Sequence, residues 1–194
     1  MAFKLIAITP EQTLADEVER IGLLIDAGFD YVHLRKPLMD ADGMRAYLQS
    51  MPQRYAGRLK MHYFLPLAEE FGLGGVHLNG RCQQSPEGWT GQVSRSCHSL
   101  AEVAASRPAD YVFLSPIFDS ISKQGYQSAF SEAELRGAVD GRVVALGGVT
   151  AERMAWLRDV GFGGCAFLGY LFAADRDAFK RRVADIINER NKMK

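Results

Sequence analysis

Apolar residues in this chain come in short runs, and between the runs they recur at the spacing of a helix face. FKLIAIT (3–9), YVHLR (31–35), LKMHYF (59–64), GVHLN (75–79), VSRSCH (93–98), YVFLSP (111–116), RVVALG (142–147) and CAFLGY (165–170) read as eight strands. Between the first two, Leu14, Val18, Ile21 and Ile25 share one helical face and Gly28 supplies a stop signal. Helices are also predicted after Asp40, Ser99, Ser131, Thr150 and Asp175, residues whose side-chain oxygen caps a helix N-terminus. Only about ten residues, LPLAEEFGLG, separate the third and fourth strands, and Cys82 to Gly91 lack helical periodicity, so those units should carry short or irregular helices.

Strands alternating with helices predict βαβ units and a parallel sheet. Eight such units in 194 residues are compact for a (β/α)8 TIM barrel, which more often takes about 250 residues. A doubly wound open sheet is the competing arrangement. The regular unit count, and polar residues spread over many strand ends rather than one crevice, favour a closed α/β barrel formed as a single domain over residues 1–194.

Composition narrows the partners. With 23 acidic and 23 basic residues the formal charge is zero, so no global field gathers nucleic acid or an anionic membrane, and any anion site must be local. Cys82, Cys97 and Cys165 lack metal-ligand spacing and fit reduced thiols. The N-terminal residues show no signal-peptide cleavage pattern, and no run of 18 apolar residues occurs, so a soluble cytoplasmic protein is expected. Self-association into a homo-oligomer stays open.

In a barrel the chemistry sits at the C-terminal strand ends. Those ends carry His33, Arg35 and Lys36; His62 and Tyr63; His77 and Asn79; Ser96 and His98; the loop LSPIFDSISKQGY (114–126); Gly147 and Gly148; and Gly169. Arg35, a guanidinium at a strand end, needs an anionic partner, either a ligand or a structural carboxylate. His33 alternates with Val32 and Leu34 and shares a face with Arg35. His77 is flanked by apolar residues and reads as a buried structural histidine, while His98 precedes the cap residue Ser99. Ser120, Ser122 and Lys123 gather hydroxyls and a cation, which suits a phosphate as well as a polar surface loop. Gly147 and Gly148, between a strand and a helix, let backbone N–H groups approach an anion. GxxxxGK[ST], GxGxxG, HExxH and GxSxG are all absent, which argues against P-loop, dinucleotide-binding, zinc-protease and serine-hydrolase chemistry.

Taken in order, YVHLRKP, GVHLNG, SRSCHS, DYVFLSPIFDSISK, VVALGGV and GGCAFLGYLF resemble the thiamine phosphate synthase and thiazole tautomerase superfamily. The resemblance implies a barrel enzyme of thiamine biosynthesis that takes small phosphorylated substrates, joining hydroxymethylpyrimidine diphosphate to thiazole phosphate with release of pyrophosphate and help from magnesium. It assigns Arg35, Lys123 and Ser96 to catalysis on the pyrophosphate. For substrate binding it points to His33, His62, Asn79, Ser120, Ser122, Gly147 and Gly148, with Lys36 one place before the family's lysine position (Pro37 here) and Gly169 where the family has a serine. The match also has gaps. The family's Asn-Asp pair after the third strand reads His62-Tyr63, and its acidic segment after the fourth reads NGRC, with Arg81 and Cys82 at the carboxylate positions. The tautomerase branch's histidine position is Pro116. A tautomerase, or a non-catalytic binder of thiazole phosphate or thiamine phosphate, is therefore carried as an alternative.

Overall fold

The computed structural model describes residues 2–119 and 130–193. Its strands are β1 (Lys4–Ile8), β2 (Tyr31–Leu34), β3 (Leu59–Met61), β4 (Gly75–Leu78), β5 (Gln92–Cys97), β6 (Tyr111–Leu114), β7 (Val143–Ala145) and β8 (Gly164–Phe167). All pair in parallel in chain order, and β8 closes onto β1 through Lys4↔Gly164 to Ala7↔Phe167. That closure rules out the open sheet.

The helices are α1 (Glu17–Ala27), α2 (Ala41–Gln49), α3 (Pro66–Glu70), α4 (Leu100–Ala105), α5 (Glu132–Leu135), α6 (Met154–Val160), α7 (Gly169–Phe172) and α8 (Arg176–Lys192). Compactness comes from trimming this outer ring, since α3, α4, α5 and α7 run to six residues or fewer and none forms between β4 and β5. Asp40, Ser99, Ser131 and Asp175 cap α2, α4, α5 and α8 through their side-chain oxygens, Ser131 in a full capping box with Glu134. Thr150 makes no such bond; it precedes a 3₁₀ turn, Ala151–Arg153, that leads into α6. The third strand ends three residues earlier than its apolar run, because the chain turns at Phe64 (φ 53°) before Pro66 opens α3. The eighth ends at Phe167, where Gly169 begins α7.

The apolar core lies in two places. One jacket fills the space between barrel and helices, including Leu24, Phe29, Val112, Leu157 and Phe179. A second, smaller cluster of Ile6, Ile8, Tyr111, Phe113, Val144 and Ala166 plugs the barrel from the β1, β6, β7 and β8 side. The opposite wall, β2 to β5, fills the interior with polar side chains instead: His33, Lys60, His62, His77 and Ser94 are all buried. Strands buried on both faces usually read as continuous apolar runs, so this half-polar plug needs an internal hydrogen-bond network. At its base Lys60 Nζ donates to Gly74 O and Gln92 Oε1, both at 2.7 Å, and sits over the Tyr31 ring. No helix among the described residues is long and apolar enough to cross a membrane.

Candidate functional site

Parallel closure puts all the C-terminal strand ends at one mouth. Arg35 follows β2, Asn79 follows β4, Ser96 lies near the end of β5, Gly147 and Gly148 follow β7, and Gly169 follows β8. Arg35 Nη1 donates to Glu11 Oε1 at 2.7 Å in a half-exposed pair, and its backbone N–H donates to Thr9 Oγ1 at 2.9 Å. A partly exposed ion pair of this kind is worth only about 0–1 kcal/mol, so a ligand phosphate can take the guanidinium from Glu11 at little cost. Asn79 builds its own loop: Nδ2 donates to His62 O (3.1 Å), and Oδ1 accepts from the N–H groups of Arg81 (2.9 Å) and Cys82 (3.1 Å).

Lys36 requires a correction. Sequence reading places it with the substrate, but its side chain is fully buried against Glu17 at 2.8 Å and also donates to Pro10 O at 2.6 Å. Tyr47 Oη donates to the same carboxylate. Burial, opposed by Glu17, holds the Lys36 ammonium below its usual range. Such an ammonium fixes the segment around Pro10 to Gln12 beneath Arg35; it has no face left for a ligand.

Gly147 (φ 95°) and Gly148 (φ 62°) lie in the left-handed region, under the loop that follows β6. A Cβ on Gly147 would stand 2.9 Å from Pro116 Cα, and one on Gly148 2.4 Å from Asp119 O. Phe118 N–H donates to Gly147 O at 3.2 Å, which ties the two segments together. Only glycine fits both the dihedrals and the approach. The bare backbone thus sits directly against the β6 loop. Ser120, Ser122 and Lys123, the continuation of that loop, lie outside the described residues.

Below the mouth the histidines depart from the expected rim. His33 and His77 are wholly buried and His62 is 5% exposed; His98 alone is exposed, its Nδ1 3.0 Å from Ser115 O. His33 Nδ1 lies 2.8 Å from His62 Nε2, and His33 Nε2 lies 2.7 Å from Tyr111 Oη. The His62 and His77 rings stack with centroids 4.1 Å apart. His77 bridges Ser94 Oγ through Nδ1 and Ser96 Oγ through Nε2, each at 2.8 Å, in line with its structural reading. Burial is the main reason that all three stay neutral, followed by mutual repulsion with the His77 ring for His33 and His62 and by Arg95 for His77; His77 is lowered to about 3, and His33 and His62 fall well below the imidazole range. Ser96 connects this stack to the mouth, since it is half-buried there while bonded to His77.

The positions that the resemblance gives to magnesium carboxylates hold Tyr63, Arg81 and Cys82, with the Arg81 guanidinium 6.0 Å from the Tyr63 ring centroid. Magnesium takes oxygen ligands, usually carboxylates and water. A phenol, a guanidinium and a thiol do not fit it. The three cysteines are free.

Sequence reading missed Tyr111, Ser94 and Glu17. For the first two a signal was present: Tyr111 alternates with Phe113 and Ser94 with Ser96, which puts each on the inward face of its strand. Glu17 gave none, because it sits in a helical first turn like any dipole-stabilising carboxylate.

Residues 5–171 match the thiamine monophosphate synthase family. A thiamine-phosphate synthase from Methylobacillus flagellatus is 28% identical over 201 residues, covering 95% of each chain. A second, from Azoarcus sp., is 31% identical, covering 91% of this chain and 92% of its own. The crystal structure of a thiamine phosphate pyrophosphorylase from Bacteroides thetaiotaomicron superposes with a TM-score of 0.87 at 33% identity, covering 99% of both chains.

Proposed function

The chain belongs to the thiamine monophosphate synthase family, and from that premise we propose that it is a transferase joining hydroxymethylpyrimidine diphosphate to thiazole phosphate, with release of pyrophosphate, at the C-terminal mouth of the barrel. One observation carries the reading: Arg35, Ser96 and the Gly147–Gly148 backbone, from three separate strand ends, open on the same mouth. The chemistry is dissociative. The carbon–oxygen bond to pyrophosphate breaks first, leaving a pyrimidine cation, and the thiazole nitrogen then attacks that carbon. The protein's work is to hold donors against charge that grows on the departing oxygens. Arg35 supplies the guanidinium, Ser96 a hydroxyl oriented by His77, and Lys123 with Ser120 and Ser122 a further cation and hydroxyls from the β6 loop. Gly147 and Gly148 bring backbone N–H groups to the thiazole phosphate, with Gly169 leaving room at the next strand end.

The test is thiamine phosphate formation by the purified protein from the two substrates, measured with and without magnesium. Turnover that falls at least tenfold in Arg35→Ala is expected. Absence of product in both conditions overturns the reading.

His98, exposed at the mouth with Nδ1 3.0 Å from Ser115 O, favours one second reading, aromatisation of a thiazole phosphate tautomer by imidazole acid–base chemistry. That activity would need no pyrimidine substrate, which separates it from the first.

A further inference from the structure

We propose that His33, His62 and His77 form a binding site inside the barrel for a divalent transition-metal ion of the zinc class. Each offers one ring nitrogen, and these atoms lie within 4.8 Å of one another. Zinc takes imidazole nitrogen at about 2.0–2.1 Å, so three tetrahedral ligands stand about 3.4 Å apart. Loading the ion needs movement: His33 and His62 must part slightly from 2.8 Å, and the His62 and His77 rings, stacked at 4.1 Å and 21°, must turn out of their stack so that both in-plane lone pairs meet one ion. The far-side nitrogens are already held. Tyr111 Oη sits 2.7 Å from His33 Nε2, and Ser94 Oγ sits 2.8 Å from His77 Nδ1. Outer partners of this kind fix the tautomer and aim the opposite nitrogen at an ion. The ion would replace the His33–His62 hydrogen bond and the bond from His77 Nε2 to Ser96. His62, the one of the three with residual exposure, marks the approach from the mouth.

The donor set also chooses the metal. Three neutral imidazoles with no carboxylate suit zinc, copper or nickel and reject magnesium or calcium, which require oxygen. The site is therefore distinct from any magnesium that substrate might carry.

The experiment uses the full chain, stripped with chelator, and titrates it with Zn²⁺ and separately with Mg²⁺ by calorimetry. One Zn²⁺ per chain and no Mg²⁺ heat are expected. His33→Gln and His77→Gln should each weaken Zn²⁺ by more than the ~10–100-fold that loss of an outer partner costs, while His98→Gln leaves it unchanged. Because either core variant can misfold, X-ray absorption on the zinc-loaded wild type supplies a second readout. Three imidazole nitrogens at about 2.0 Å support the site, whereas a sulfur ligand at about 2.3 Å would place the ion at a cysteine and overturn it. Absence of stoichiometric Zn²⁺ binding would overturn it equally.

Discussion

His33 Nδ1 and His62 Nε2 share one proton across 2.8 Å inside the barrel. One nitrogen must donate and the other accept, so protonating the accepting nitrogen would bring two N–H groups face to face, and protonating the donor ring at its other nitrogen would bury its charge. His77, stacked on His62, adds a third imidazole held neutral. All three folded-state pKa values lie below the unfolded one, so as pH falls through about 6.5 the unfolded chain takes up protons that the native chain refuses. Stability is complete above that pH and is lost on acidification. Three groups at about 1.4 kcal/mol per pH unit each predict a loss approaching ~4 kcal/mol per unit between pH 6 and 5. Urea midpoints measured from pH 7.5 to 5 check this, and a flat profile over that range would refute the buried neutral stack.

Neighbouring cations Arg35 and Lys36 should respond oppositely to removal. Lys36→Met leaves Glu17 buried without its counter-charge and is expected to destabilise the fold by about 3–5 kcal/mol. Arg35→Ala breaks only a half-exposed pair with Glu11, so stability should change by less than about 1 kcal/mol, while the apparent affinity for the diphosphate substrate falls at least tenfold. Denaturation and steady-state kinetics on both variants separate the roles. Equal stability losses would show that the two lysine and arginine sites are not structurally distinct.

Gly148→Ala combines a left-handed dihedral with a Cβ placed 2.4 Å from Asp119 O. The strain alone is of order 1–3 kcal/mol, and relieving the contact must push the β6 loop from the glycine pair. The variant should therefore unfold earlier and bind thiazole phosphate more weakly, by thermal melt and calorimetry. Wild-type phosphate affinity in this variant would remove the backbone cradle from the site.

Ser96→Ala removes a hydroxyl from a half-buried position and leaves His77 its bond to Ser94. The loss of one net hydrogen bond predicts about 1 kcal/mol in stability, whereas a donor to the leaving group predicts a fall in kcat of tenfold or more. Ser96→Thr, which keeps the hydroxyl, should restore most of the rate. Unchanged kcat in both variants would leave Ser96 as a support for His77 alone.

Local chemistry was enough for much of this molecule. Short β-branched runs alternating with capped helices could bury their apolar faces only by stacking a parallel sheet under a helical layer, and the ordered strand-end motifs placed the chain in its family. The glycine pair was legible too, because its backbone requirement is written in residue identity. What the chain order did not contain was which polar side chain faces which. His33 and Lys36 lie three residues apart, yet one points into the barrel against His62 and the other outward against Glu17, 19 residues away. Strand alternation sets the direction of a side chain, but the partner that meets it there comes from closure of the sheet, a long-range contact that no local pattern encodes. For the same reason His33 and His62, read as ligand contacts, join the structural His77 in a buried cluster and only His98 is exposed: the barrel's interior, half of it polar, exists only once β8 has paired with β1.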